Sequence, residues 1–409
     1  MNTLKVSELT ERLIRAESIT PDDAGCQPLI NEVLEAHGFT VQDFSLQLET
    51  GTGKHTVTNT FAFVEGKGSG EGPSVIFAGH TDVVGVEDQD WQSNPFELTE
   101  KDGLLVGRGI ADMKGGLAPT VTAAAKFVAD NPNFSGKIGF VITSFEEKAQ
   151  NKEVQGQVAK LGTNHVVTKL LEQGYPVDYV IVGEPTSSEI VGDTIKNGRG
   201  CSMDVMLTTS GKSAHEGYIE PGATAGIGVA AIGNLVTNDW QTSVESFPTT
   251  KFHYKGDGQE PKPGTAAPEF TFTNSVRFSP PYNSQSLRAE IEQIVASTLT
   301  PYSADVTWQL AFTDSGEPYF TLPSSPIIRL ASKAIERVTG IKVPKLSAEG
   351  GTSDGRFLVK LKNAAGKPTE VIEIGNIGTT LHEVNEAVPT GSLEELEAIH
   401  YGLLKEIFG

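Results

Sequence analysis

Two cysteines in 409 residues, Cys26 and Cys201, set the first limit: there is no Cys-x-x-Cys pair and no disulfide framework, so a reducing compartment is expected. Long apolar runs are missing as well, and no window approaches the length of a membrane span. The N-terminus, MNTLKVSELTERLIRAE, sets Leu4, Leu9, Leu13 and Ile14 among charges, as an amphipathic helix does, without the apolar centre of a signal peptide. Positive charge is scarce. Against 52 Asp and Glu stand 32 Lys and Arg, a formal −20 that no Lys/Arg run offsets. Such a surface repels nucleic acid and anionic membranes, so neither is an expected partner. The location these absences predict is cytoplasmic.

What is present is ample Val, Ile, Leu and Phe, in a chain longer than one core usually organises, so two domains are expected. The run VIFAG from Val75 is continuously apolar or small, stops at Gly79, and reads as a fully buried strand with His80 at its exit. Ile138 to Thr143 and Tyr179 to Gly183 read the same way, followed by Phe145-Glu146-Glu147 and Glu184-Pro185. Helical patterns lie between them. Thr20-Pro21-Asp22-Asp23 predicts a helix start, an Ala-rich helix runs over LAPTVTAAAKFVAD, and another surrounds HVVTKLLEQG. Residues 49–59 and 65–73, rich in Gly, Thr and Ser, read as turns. Alternating strands and helices predict an α/β fold with a largely parallel, mixed sheet flanked by helices, its ligand crevice outside the strands' carboxyl ends.

From about Lys196 the texture changes. CSMDVMLTTSG, KFHYKG, FTFTNSVRFS and ADVTWQLAFT read as strands, with helices over GATAGIGVAAIGNLV and SLRAEIEQIVAST. The order β-α-β-β-α-β is the split βαβ pattern of a small ferredoxin-like insert, with 255–268 as its Gly/Pro-rich loop. The predicted division is therefore a discontinuous domain over 1–194 and 312–409, interrupted by an insert over 195–311. After the insert, α/β texture resumes through PIIRLASKAIERVTG, the loop SAEGGTSDGRF, the strand VIEIG and a C-terminal helix.

Five positions stand out chemically: His80, Asp112, Glu147, Glu184 and His382. Two histidines and three carboxylates suit zinc, with cobalt or manganese as substitutes. Three carboxylates with one bridging hydroxide balance two divalent ions, whereas one zinc with three carboxylates would be anionic, so a metal pair is expected. Asp82, two residues after His80, can share its face; a carboxylate commonly orients a ligating histidine, and the same pair also suits an ordinary strand-end hydrogen bond. Glu146 beside Glu147 allows one carboxylate to bind metal while its neighbour moves protons. Equally, the two can simply begin a solvated helix.

In order along the chain, GHTDVV, GRGIADMKGG, ITSFEE, VGEPT, KNGR, GGTSDGRF and TLHEVNE resemble the motifs of the di-zinc aminoacylase and carboxypeptidase-like metallohydrolases, most closely those of the succinyl-diaminopimelate desuccinylases. The resemblance implies two zinc ions bridged by Asp112, one site completed by His80 and Glu184 and the other by Glu147 and His382. It implies that Asp82 orients His80, that Glu146 is the general base and acid, and that the insert forms a homodimer. His215, in SAHEGY, would then reach the partner's active site and stabilise the oxyanion. Arg199, Tyr218, Arg277, Gly351, Thr352 and Ser353 would line the substrate pocket, Arg277 clamping a carboxylate through its planar fork. A surface ion pair is the other use for either arginine.

Departures gather near the substrate. Phe145 stands where the family has Asp, Arg199-Gly200-Cys201 replaces Arg-Arg-Gly, Tyr218-Ile219-Glu220-Pro221 replaces a Tyr-Pro, and Gly264-Thr265-Ala266-Ala267 falls where a substrate-binding Asn is expected. The activity implied is hydrolysis of a small N-acyl amino acid, most specifically N-succinyl-LL-2,6-diaminopimelate, in lysine and diaminopimelate biosynthesis. A related deacylase resembling acetylornithine deacetylase, or a metallo-dipeptidase or carboxypeptidase, is the alternative. A binding protein keeping the fold without catalysis is the remote one.

Overall fold

The run beginning at Val75 forms strand Ser74–His80, buried along its full length. It pairs in parallel with Lys137–Thr143 on one side and Tyr179–Val182 on the other. Buried on both faces, these strands need no polar alternation, which is why their sequences read as apolar blocks. The structure is a computed structural model that describes residues 4–50, 53–68, 71–147, 161–212, 214–215, 225–240, 250–257 and 265–409.

Eight strands form the central sheet in the order Thr40–Asp43, Asn59–Glu65, Lys137–Thr143, Ser74–His80, Tyr179–Val182, Glu370–Glu373, Thr194–Lys196, Lys345–Ser347. The two pairings at the first edge are antiparallel and the three at the centre are parallel, so the sheet is mixed and largely parallel, as predicted. Helix Ser392–Phe408 packs against Lys114–Asp130 and Pro326–Thr339. Helix Lys114–Asp130 starts hard against a strand exit. A Cβ on Gly116 would lie 2.1 Å from the Gly183 carbonyl oxygen, so only glycine allows this approach.

By packing, the chain divides into two units. One comprises Met1–Gly198, Phe320–Ala348 and Ser353–Gly409; the other comprises Arg199–Tyr319 and Glu349–Thr352. The second unit holds a four-stranded antiparallel sheet in the order Lys251–Asp257, Glu269–Phe278, Cys201–Ser210, Thr307–Asp314. Helices Gly228–Thr237 and Ser284–Leu299 complete a β-α-β-β-α-β chain order. Its core draws on Met203, Val205 and Leu207 of one strand and Leu287, Ile291 and Val295 of one helix, matching periods of two and about 3.6.

Two local expectations are corrected. The helix expected to open at Thr20-Pro21 is Cys26–Ala36, because Ala24 and Gly25 have φ of 49° and 87°, outside any right-handed helix. Asp23 still serves its start, accepting from the Gln27 N–H at 2.9 Å. Residues 49–59, expected as turns, lie mostly in strands: Leu46–Thr50 and Gly53–Val57 pair as a hairpin, and Asn59–Glu65 joins the sheet. Leu48 and Val57, both buried, supply an apolar face that the local Gly and Thr content masks.

One buried polar residue gives a testable stability effect. His400 is fully buried, its ring edge-on to Phe77 at 5.6 Å, and neither ring nitrogen has a hydrogen-bond partner among the described residues. Burial pushes its pKa down to about 3. An unfolded histidine titrates near 6.5, so below that pH the unfolded chain takes up a proton the native chain refuses, and stability falls as pH falls. At pH 5 this amounts to about 2 kcal/mol. The His400→Leu variant is expected to lose that part of the acid sensitivity. Urea midpoints of both proteins at pH 5 and pH 7.5 check it, and parallel losses would remove the assignment.

Candidate metal centre

The polar residues gather where parallel strands leave the sheet, as the doubly wound arrangement predicts. His80 ends its strand, Glu184 stands two residues past Val182, and Glu146 and Glu147 follow Thr143 within four residues. Asp112 precedes helix Lys114–Asp130, and His382 lies in the loop between Glu370–Glu373 and Ala387–Pro389. His382 has φ of 60°, an uncommon left-handed conformation for a residue with a Cβ.

Two groups form, and they share one residue. His80, Asp112 and Glu184 bring one ligand atom each within 4.8 Å of one another, and so do Asp112, Glu147 and His382. The sharing is divided between the two carboxylate oxygens. Asp112 Oδ1 lies 3.2 Å from His80 Nε2, and Oδ2 lies 3.4 Å from His382 Nε2. Glu184 Oε1 is 3.9 Å from His80 Nε2, and Glu147 Oε2 is 3.1 Å from His382 Nε2.

Electrostatics in this nest run against isolated charges. Burial and the Asp112 charge raise Glu184 well above the usual carboxylate range. Burial, with the Asp112 charge added, pushes Glu147 up to about 7. At His80 burial opposes the charged ring, but Asp112, Asp82 and Glu184 outweigh it and its pKa rises. His382 rises to about 10 through its hydrogen bonds to Asp112 and Glu147. Burial would raise Asp112 too, yet its hydrogen bonds to His382 and His80 prevail and lower it.

Asp82 has more work than the spacing to His80 implies. His80 Nδ1 meets the Asp82 main-chain carbonyl at 2.9 Å and its carboxylate at 3.5 Å. The carboxylate itself accepts from the N–H groups of Glu146, at 3.1 Å, and Glu147, at 3.0 Å. One buried side chain thus faces His80 and fixes the main chain of both glutamates. Glu146 points its Oε1 to within 3.6 Å of Arg356 Nη2.

Arg356 and Glu386 escape a reading by residue type, although both stand inside the motifs GGTSDGRF and TLHEVNE. The Arg356 side chain is 3% exposed, and its Nε and Nη1 have no hydrogen-bond partner among the described residues. A buried guanidinium with spare donors is suited to an anion. Beside it, burial and the Glu146 charge raise Asp354 to about 6. Glu386 is fully buried and hydrogen-bonds the loop that ends in Asp112.

The remaining predicted residues divide between the units. Ser353 belongs to the first, buried and donating to Glu373. Arg199, Arg277, Gly351 and Thr352 belong to the second. There Arg199 Nη1 donates to the carbonyls of Glu349, at 3.2 Å, and Gly351, at 3.4 Å, while Arg277 is exposed on strand Glu269–Phe278. Gly200 is tight in its own strand neighbourhood, since a Cβ there would lie 3.0 Å from the Phe278 oxygen. His215 is described through its main chain, paired with Thr265. Tyr218 and Gly264 lie outside the described residues.

The donors fit a pair of divalent metals. Each group offers one imidazole nitrogen and two carboxylates, a set suited to zinc and acceptable to cobalt or manganese. Sheet and site together define an α/β protein with two adjoining His/carboxylate groups at the carboxyl edge of its sheet. Peptidase family M20/M25/M40 matches residues 76–406, and the chain belongs to that family. Among solved structures it is similar to aminopeptidase PepT from Bacillus cereus, with TM-score 0.70 and 18% identity over 99% of this chain and 100% of that one. A dinuclear metal binding peptidase of the M20 family from Bacillus subtilis gives TM-score 0.63 and 13% identity over 98% and 100%. A di-peptidase from Saccharomyces cerevisiae gives 0.64 and 15% over 98% and 95%. At these identities the likeness is one of fold. Among the described residues no helix is long and apolar enough to cross a membrane.

Proposed function

We propose that this protein is a two-metal amide hydrolase of N-acyl amino acids, with N-succinyl-LL-2,6-diaminopimelate as its substrate. The observation that carries the reading is Asp112, whose two oxygens face the histidines of two separate ligand groups. His80, Asp112 and Glu184 would hold one ion, and Asp112, Glu147 and His382 the other. Bound there, zinc supplies Lewis-acid polarisation of the amide carbonyl and a nucleophilic water at neutral pH.

The chain's own part is proton transfer and orientation. Glu146, held through its N–H by Asp82, takes the proton of the attacking water and passes it to the leaving nitrogen. Arg356 presents spare donors beside Glu146, a place for a substrate carboxylate. His215 is assigned to the oxyanion and is delivered by the partner in a homodimer formed through the insert; a fully active monomer in sedimentation would remove that part. Arg277 and the Gly351-Thr352-Ser353 loop are assigned to the acyl group.

A dipeptidase reading has two supports of its own. No Asn stands at 264–267, and a dipeptidase is among the structures of similar fold. The test is a panel on zinc-reconstituted protein: the succinylated diamino acid, acetylornithine and several dipeptides. The expected kcat/KM for the succinyl substrate exceeds the others by about 10⁴-fold, the discrimination a site gains when its buried polar groups are left unpaired by a substrate lacking the group they hydrogen-bond. A preference for acetylornithine or a dipeptide ends the desuccinylase assignment and leaves the hydrolase. Failure on every substrate ends both.

A further inference from the structure

We infer that Glu386 is a positioning residue that ties the two ligands His382 and Asp112 into one group, so that it governs one metal position more than the other. The inference rests on the two-metal reading above and concerns how that site is assembled. Loop 107–112 has neither helix nor strand hydrogen bonds to shape it. It is wrapped around the Glu386 carboxylate instead. Oε1 accepts from the N–H groups of Ala111 at 2.7 Å and Asp112 at 3.0 Å. Oε2 accepts from the Gly109 N–H at 3.1 Å and from Arg108 Nη1 at 2.7 Å. The Glu386 carbonyl takes a fifth donor, the Gly107 N–H, at 3.0 Å.

The other end of the tie is the chain itself. Glu386 stands four residues after His382 and leads into strand Ala387–Pro389, which pairs with Leu104–Val106. The loop carrying His382 is closed on this strand by Thr380 Oγ1, which accepts from the Ala387 N–H at 3.0 Å and donates to the Ala387 carbonyl at 3.1 Å. His80 and Glu184 are carried by the exits of two central strands. Removing the carboxylate therefore loosens Asp112 and the His382 loop against each other, while the opposing pair keeps its support from the sheet.

The test uses Glu386→Gln, which keeps the volume. Its amide nitrogen would face two donors, Gly109 N–H and Arg108 Nη1, in place of an acceptor. Metal-free wild type and variant are titrated with Zn²⁺ by calorimetry and with Co²⁺ by visible absorption. Wild type is expected to take up two ions per chain. The variant is expected to weaken the constant of the His382 group about 10–100-fold, the usual range for a residue that orients a ligand. That of the His80 group, which shares only Asp112 with it, is expected to weaken by much less, so that their ratio changes. A purely structural brace would lower the thermal midpoint of the metal-free protein and leave the ratio of the two constants alone, and an unchanged ratio overturns the inference. If circular dichroism shows the variant unfolded, Arg108→Lys replaces it, because a lysine lacks the planar fork through which Arg108 reaches Glu386 with Nη1 and Gln89 with Nη2. The same change of ratio is expected there, and a ratio unchanged from wild type overturns the inference. Wild-type protein that binds fewer than two ions fails differently: it overturns the two-metal reading, and the inference falls with it.

Discussion

Replacing Glu146 by Gln is expected to lower kcat by about 10²–10⁴-fold, the range that a positioned general base contributes, with metal uptake unchanged. The substitution is isosteric and leaves the main chain alone, so the Asp82 carboxylate still accepts from the N–H groups of residues 146 and 147. Glu147 still faces His382 at 3.1 Å, and the second ligand group survives. What is lost is a carboxylate able to accept a proton and return it. Because the change acts on the chemical step, kcat should fall while KM stays near its original value. The neighbouring substitution, Glu147→Gln, belongs to the other category and should release metal. Elemental analysis alongside steady-state kinetics separates the two. Near-normal turnover by metal-replete Glu146→Gln protein would remove Glu146 from its role.

The sequence made the two positions at strand exits legible because their strands are buried on both faces. VIFAG and YVIVG cannot be confused with solvated segments, and the residue after each run is placed by the sheet. The work of Asp82 is harder to read. Its spacing to His80 is local, but its hydrogen bonds to Glu146 and Glu147 span more than sixty residues and depend on two strands lying side by side. Arg356 and Glu386 mark the same boundary. Both stand in quoted motifs, yet a guanidinium with unused donors or a carboxylate wrapped by a loop is a property of burial. The helix start moved from Pro21 to Cys26 because two consecutive positive φ values override a favourable capping pattern.

Stripping the metal is expected to lower the thermal midpoint by on the order of 10 °C, measured by scanning calorimetry on zinc-reconstituted and chelated protein. The cause is crowding of like charge. Burial and the charge of Asp112 hold Glu184 well above the usual range, with Glu146 and Glu373 adding to it. Glu147 is pushed up to about 7 by the same combination of burial and neighbouring carboxylate. Without cations the nest relies on two histidines as counter-ions, and His382 is half exposed. A ligand held at a thousand times its dissociation constant stabilises a native state by about 4.1 kcal/mol per site. Two such sites exceed half the stability of a typical domain. The Asp112→Ala variant makes the origin of the shift testable, since it removes a ligand from both groups at once. Its midpoint should respond to zinc far less than that of wild type. Equal responses would mean that the ion acts elsewhere on an acidic surface, and an unresponsive wild type would mean that the nest is not a metal site.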